Sequence, residues 1–179
     1  DVQALREKIE ANKMTLPDGR EIFKHEHEAL QRLARENGIK EEDVLARLTD
    51  ATIEGGQIKG IDLNNLRLST ITPLEALSGL VELNLSENAI IGDPQFPSFP
   101  KLQKLELWGN EITAVSGLAR LTALTELRLS RNAIQEDPQF PALSKLQVLD
   151  LCENKITGVS GLSRLTSLTK LALGYNSIQ

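Results

Sequence analysis

The segment LVELNLSENAI, residues 80–90, is the part of this chain whose reading decides the fold. Leu83 and Leu85 stand two apart, so on an extended backbone they point to one side while Glu82 and Asn84 point to the other. A strand this short cannot bury its apolar side alone. The pattern returns at a constant step of 22: IKGIDLNNLRL from Ile58, LQKLELWGNEI from Leu102, LTELRLSRNAI from Leu124, LQVLDLCENKI from Leu146 and LTKLALGYNSI from Leu168. No insertion breaks the register. Units of this length stack, each burying its leucines against the next, and so build a parallel sheet over one continuous core.

The ninth place of each unit is Asn (Asn88, Asn110, Asn132, Asn154, Asn176) in all but the first, where Leu66 stands there and Asn65 comes one place early. A short amide leaving a strand can bond turn backbone. Ile58–Leu68 reads as a lead-in unit. Beyond the Asn, apolar residues recur every third position (Ile112, Val115, Leu118, Leu121, Leu124), which suits short 3₁₀ turns on the outer side. A period of 44 overlies that of 22. SGLARLTALTELRLSRNAI from Ser116 recurs as SGLSRLTSLTKLALGYNSI from Ser160, and DPQFPSFPKLQKLELWGNEIT from Asp93 recurs as DPQFPALSKLQVLDLCENKIT from Asp137. Asp followed by Pro reads as an N-cap and first helical residue, so a short turn is expected to start at Asp93 and at Asp137. Phe96, Phe99 and Phe140 read as core fillers replacing leucine.

Residues 58–179 resemble leucine-rich repeats of the short 22-residue kind, similar to bacterial internalins and to the eukaryotic regulatory subunit of protein phosphatase 1, which share the I-x-x-[VI]-x-x-L-x-x-L-x-x-L outer segment. The resemblance covers about two-thirds of the chain. It implies an α/β fold (α+β by content): a right-handed leucine-rich-repeat solenoid whose concave parallel sheet binds protein partners.

Two units are expected: a helical cap over 1–55 and repeats over 56–179. In the first, Val2, Leu5 and Ile9 are spaced for one helix face, and Leu16-Pro17-Asp18-Gly19 signals a turn. Ile22, Phe23, Ala29, Leu30 and Leu33 predict a second helix ending near Gly38. Val44, Leu45 and Leu48 predict a third behind the acidic Glu41-Glu42-Asp43. Gly55-Gly56 is the joint. This segment should cover the open edge of the first repeat. At the other end, Leu171, Leu173 and Ile178 belong to the last repeat before Gln179, which predicts either further repeats or self-association through an uncapped edge.

Composition narrows the function. The chain of 179 residues is 40% hydrophobic and only 3% aromatic, so its core must be aliphatic. A net charge of −5 speaks against a general nucleic-acid binder. The cap carries 13 acids and 9 bases, the repeats 12 and 11, so most of the acidity lies in the cap. One cysteine, Cys152, excludes an internal disulfide and fits either a cytoplasmic protein or a bacterial secreted or surface protein. No apolar run is long enough for a membrane span.

No catalytic constellation emerges. The two histidines, His25 and His27, lie two apart on a helix and face different ways, with no third ligand to hold a metal. No phosphate-cradling glycine loop, calcium loop or cofactor motif is present, and no catalytic residue, cofactor or metal is expected. Asn84-Leu85-Ser86 matches a glycosylation sequon within a strand. Cys152 would be a reactive thiol only with a cation beside it, and Arg131 lies diagonally one repeat away.

Function is therefore sought on the outward strand positions. The third place of the six repeats reads Gly60, Glu82, Lys104, Glu126, Val148, Lys170, and the fifth Asp62, Asn84, Glu106, Arg128, Asp150, Ala172. The seventh reads Asn64, Ser86, Trp108, Ser130, Cys152, Gly174, and the eighth Asn65, Glu87, Gly109, Arg131, Glu153, Tyr175. The only Trp and the only Tyr fall here, and Trp, Tyr and Arg are the residues most enriched in interface hot spots. A protein-binding patch is expected at Trp108, Arg128, Arg131, Glu106, Asp150, Glu153 and Tyr175. The competing reading of Glu106, Arg128 and Asp150 is a cross-strand charge ladder that keeps the sheet soluble. The chain is then expected to work as an adhesin, an effector, or an intracellular scaffold or regulator. The alternative is the recognition part of a larger enzyme or signalling protein.

Overall fold

The computed structural model describes residues 2–179. Its amino-terminal part runs α1 (Val2–Ala11), β1 (Lys13–Thr15), β2 (Glu21–Phe23), α2 (Lys24–Glu36) and α3 (Glu41–Leu45), followed by a 3₁₀ turn over Ala46–Leu48 and the strand β3 (Thr52–Glu54). The turn signal at Leu16–Gly19 closes a β1–β2 hairpin, with Met14 opposite Ile22. Ile22 and Phe23 are thus strand residues and the second helix begins at Lys24, a correction to the helical reading. A run of apolar residues as short as Ile22-Phe23 fits either period, and pairing with β1 decides it.

The helix at residues 2–11 forms as its spacing predicts, but α1 buries none of its residues. Val2, Leu5 and Ile9 are 68%, 59% and 41% exposed. The covering of the first repeat falls to α2 instead, whose Ala29, Leu30, Leu33 and Ala34 are buried and which packs against a 3₁₀ turn at Thr72–Ala76 in the first repeat.

Polar side chains fasten these pieces together. Arg20 donates to the carbonyls of Leu48, Thr49 (2.9 Å) and Ala51 (2.6 Å), so one guanidinium satisfies the end of the 3₁₀ turn. Asn37, just past α2, accepts from the Ser69 and Thr70 N–H groups and donates to the Thr70 carbonyl. Arg47 reaches the carbonyl of Asn64 at 2.9 Å.

β3 returns as β4 (Gln57–Asp62) through a hairpin, with Ile53 opposite Ile58. Gly55 and Gly56 form its turn at φ of 59° and 84°, a left-handed backbone that glycine enters without strain. The repeats then contribute β5 (Glu82–Asn84), β6 (Ile91–Gly92), β7 (Lys104–Glu106), β8 (Glu111–Ile112) and β9 (Glu126–Arg128). β10 (Gln135–Glu136), β11 (Val148–Asp150), β12 (Lys155–Ile156) and β13 (Lys170–Ala172) follow.

The concave sheet has seven strands in the order β13-β11-β9-β7-β5-β4-β3, parallel throughout except for antiparallel β3. Its register is the sequence period itself: Leu83 faces Leu105, Leu105 faces Leu127 and Leu127 faces Leu149. These leucines and those two places on (Leu85, Leu107, Leu129, Leu151) are buried, as are Phe96, Phe99 and Phe140, the expected leucine substitutes.

The asparagine at the ninth place ties each repeat to the one before it. Asn110 accepts from the Ile90 N–H at 3.1 Å and donates to the carbonyls of Leu85 and Leu107, each at 3.0 Å. Asn132 and Asn154 repeat the arrangement. In the first repeat the preceding strand is antiparallel β3, which offers no equivalent loop, and Leu66 fills the place as a buried apolar residue.

On the outer side the 3₁₀ turns occupy Thr72–Ala76, Ser116–Leu118 and Ser160–Arg164. No helical turn begins at Asp93 or Asp137, contrary to the Asp-Pro expectation. Each aspartate caps the turn of the following repeat instead. Asp93 accepts from the Gly117 N–H at 2.9 Å and from the Ser116 hydroxyl; Asp137 accepts from Gly161 at 3.0 Å and from Ser160. The same two interfaces carry the short outer ladders β6–β8 and β10–β12. The 44-residue period of the sequence is thus a clasp between an Asp-Pro unit and the Ser-Gly unit after it.

Candidate functional site: the concave face

Each repeat leaves the concave sheet at its eighth residue, and all six are left-handed: Asn65, Glu87, Gly109, Arg131, Glu153 and Tyr175, at φ between 50° and 69°. For a residue with a β-carbon this conformation costs roughly 1–2 kcal/mol. Five of these six places nonetheless carry a side chain, with Tyr175 88% exposed.

Trp108, in the seventh place of the third repeat, is half-buried on this face. Its own carbonyl accepts the Glu87 N–H at 2.8 Å, and the N–H of the next residue, Gly109, donates to Ser130 at 3.0 Å, so the Trp108-Gly109 backbone is bonded to both neighbouring repeats. Ser86, between Asn64 and Trp108 in the same column, is completely buried, and its hydroxyl has no partner. Ser130, on the other side of Trp108, keeps part of its surface.

Register places Glu106, Arg128 and Asp150 side by side on β7, β9 and β11. The ion pairs nonetheless run along the strands. Lys104 meets Glu106 at 2.9 Å and Arg128 meets Glu126 at 2.8 Å. The hydrogen bond from Lys104 to Glu106 raises the lysine pKa, and that from Arg128 to Glu126 does the same for the guanidinium, with smaller contributions from Glu106 and Asp150. A residue two places along a strand lies on the same face, and here that reach is preferred to the cross-strand one.

Arg131 lies 3.5 Å from Glu153. It is therefore engaged by a carboxylate, and Cys152 lacks the cation that would activate it. Burial and the Asp150 carboxylate push the Cys152 thiol above its ordinary pKa, so the protonated form is favoured.

Sequence reading did not single out the amino-terminal end of this face. There Asp50, Thr52, Gly60, Asp62, Glu82 and Lys104 line a shallow hollow of about 240 Å³. Gly60, the residue without a side chain in the third column, was its visible signal. Asp50 and Thr52 precede the repeats and join the face only because β3 adds to the sheet. Among the described residues no group of three or more His, Cys, Asp or Glu is placed to hold a metal ion, and no helix is long and apolar enough to cross a membrane.

A stacked 22-residue unit, a parallel concave sheet and an asparagine staple define a leucine-rich-repeat protein. Residues 136–178 match the family described as Leucine rich repeat, and residues 100–141 that described as Leucine Rich repeats (2 copies). Among solved structures the chain is similar to internalin C2 from Listeria monocytogenes, with 29% identity and a TM-score of 0.63 over 86% of this chain and 65% of that one. It is similar to an internalin (inlF) of the same organism at 29% identity and a TM-score of 0.59, covering 77% of this chain and 38% of that one. A leucine-rich-repeat protein of Leptospira interrogans is 30% identical with a TM-score of 0.57, covering 67% and 32%. The chain therefore spans less than two-thirds of the length of each of these neighbours. No curated protein matches the chain in sequence.

Proposed function

We propose that this chain is a protein-recognition module, acting by binding rather than by catalysis, and that its partner lies on the concave face with Trp108 as the central anchor. The observation that carries the reading is Trp108 itself: a half-buried residue midway along the sheet, where its backbone and that of Gly109 are bonded to the repeats on either side. A pre-organised surface loses little entropy on binding. Arg128 and Arg131 sit one repeat away, Glu106, Asp150 and Glu153 border them, and Tyr175 extends the line. Internalin-like and other leucine-rich-repeat folds commonly serve protein–protein interaction, which supports the same reading.

The test is capture of protein partners on the immobilised chain, wild type against Trp108→Ala. A central anchor contributes about 2 kcal/mol or more, so capture should weaken at least about tenfold. Gln95→Ala and Gln139→Ala on the outer side should change nothing. A partner that ignores Trp108, Arg128 and Arg131 but depends on Phe23 or His25 would move the site to the cap.

A further inference from the structure

Among the described residues Glu26 is the one buried carboxylate, at the junction between the cap and the solenoid. It lies in the first turn of α2 and is 0% exposed. One oxygen, Oε2, accepts the backbone N–H of Ile58 at 2.8 Å, and Oε1 has no partner. Ile58, itself buried, is the second residue of β4, the first leucine-repeat strand. The contact therefore joins the helix that covers the solenoid to the first strand it covers, across 32 residues of sequence.

Removing a carboxylate from water costs several kcal/mol unless charges or several donors replace the hydration. Here the replacements are few. The charged groups on the elements against α2 are Glu21 on β2, Glu41, Glu42 and Asp43 on α3, Glu75 on the 3₁₀ turn of the first repeat, and Lys59 and Asp62 on β4. Of these only Lys59 exerts a resolved pull on Glu26. His25 and His27 flank it in the chain. A neutral carboxylic acid still accepts the Ile58 N–H through its carbonyl oxygen, and it avoids burying an uncompensated charge.

We propose that Glu26 is a pH-sensitive latch between cap and solenoid, closed while its carboxyl is protonated and loosened when it ionises. Burial, the dominant influence, raises the Glu26 pKa to about 7 against an ordinary 4.5, with the Ile58 N–H and then Lys59 opposing it. Because the folded value lies above the unfolded one, the latch is fully effective below about pH 4.5 and is released as pH rises through about 7. Neutral pH is then the region of response. Release would loosen α2 over Ile58, and with it the β3–β4 end of the concave face.

The experiment is ¹³C NMR titration of the glutamate carboxyls in the intact chain, together with hydrogen exchange at Ile58 and along α2 between pH 5.5 and 8.5, corrected for intrinsic rates. Glu26 should titrate near neutrality, and protection at Ile58 should fall at least about tenfold over that range. In Glu26→Gln, which keeps the acceptor and cannot ionise, protection should be independent of pH. Titration of Glu26 near pH 4 in the folded chain would overturn the proposal whether or not the variant folds. So would an unchanged pH dependence in Glu26→Gln.

Discussion

Gly117 faces the carbonyl of Pro94 so closely that a β-carbon built on it would stand 2.0 Å from that oxygen, and Gly161 repeats the relationship with Pro138 at 2.1 Å. Gly117 also donates its N–H to Asp93 at 2.9 Å, so the glycine closes the clasp by contact and by hydrogen bond at once. Gly117→Ala must part the two repeats or shift the backbone. Overpacking of this kind costs about 1–3 kcal/mol, and chemical denaturation should register a loss in that range. An unchanged midpoint would mean that this interface has slack the close approach does not suggest.

Asp93→Ala should cost less than Gly117→Ala, because it removes two acceptors from the Ser116–Leu118 turn without inserting volume. Loss of a side-chain cap is worth about 0.5–2 kcal/mol. Amide exchange at Gly117 should accelerate in this variant while exchange at Gly161, held by Asp137, stays as in the wild type. Equal acceleration at both would show that the two clasps do not act separately.

Asn110→Ala should be among the most damaging single changes in the repeats. It orphans the Ile90 N–H at a buried position and removes one of two amide donors from each of the Leu85 and Leu107 carbonyls, which keep Asn88 and Asn132. One unsatisfied buried group costs about 1–3 kcal/mol, and a loss in that range is expected in urea unfolding. Asn176→Ala, in the more exposed last repeat, should cost clearly less. A smaller loss at Asn110 than at Asn176 would contradict the staple as the source of the stability.

On the concave face, Trp108→Ala and Arg128→Ala should leave stability almost untouched. Arg128 pairs with Glu126 on an open surface, where an ion pair is worth about 0.2–1 kcal/mol. Both variants should unfold within about 1 kcal/mol of the wild type, so that any lost binding reports on the surface itself. A large drop for Trp108→Ala would reassign the indole to holding the sheet, with Ser86, its neighbour in the same column, as the place to look.

Stability should vary with pH in two opposite limbs. The Glu26 contribution is complete below about pH 4.5 and disappears as pH rises through about 7, a change of about 3 kcal/mol for a shift of this size. Asp137 behaves in reverse. The Gly161 N–H and the Ser160 hydroxyl lower its pKa, so its contribution is present above the ordinary 3.8 and is lost as pH falls through the depressed value. Thermal unfolding followed across pH 2.5–9 should show a maximum between the limbs, and Glu26→Gln should flatten the alkaline limb only. A wild type whose stability is level from pH 5 to 9 would contradict the first half.

The repeats were legible because their structure is local and periodic. Leu83 and Leu85 share a face by strand geometry, the step of 22 sets which leucine meets which, and the result is the observed Leu83–Leu105–Leu127–Leu149 column. The same geometry assigns Trp108 and Tyr175 to the outward columns. Pairing among polar groups was beyond it. Arg128 could reach Glu106, Asp150 or Glu126, and only side-chain conformation selects Glu126. Asp93 read as a cap for its own segment, yet the neighbouring repeat brings the bare Gly117 N–H closer.

The cap shows the division most clearly. Glu26, Ala29, Leu30 and Leu33 have the spacing of one helix face, which was the available signal that Glu26 belongs with the core. Nothing local, however, states that Ile58 would close over it. Val2, Leu5 and Ile9 form an equally regular stripe that remains open to water. Periodicity determines which residues share a face, since that follows from backbone geometry within a few residues. Whether the face is covered depends on chain segments that meet only after folding, and for α1 and Glu26 the tertiary structure alone decided it.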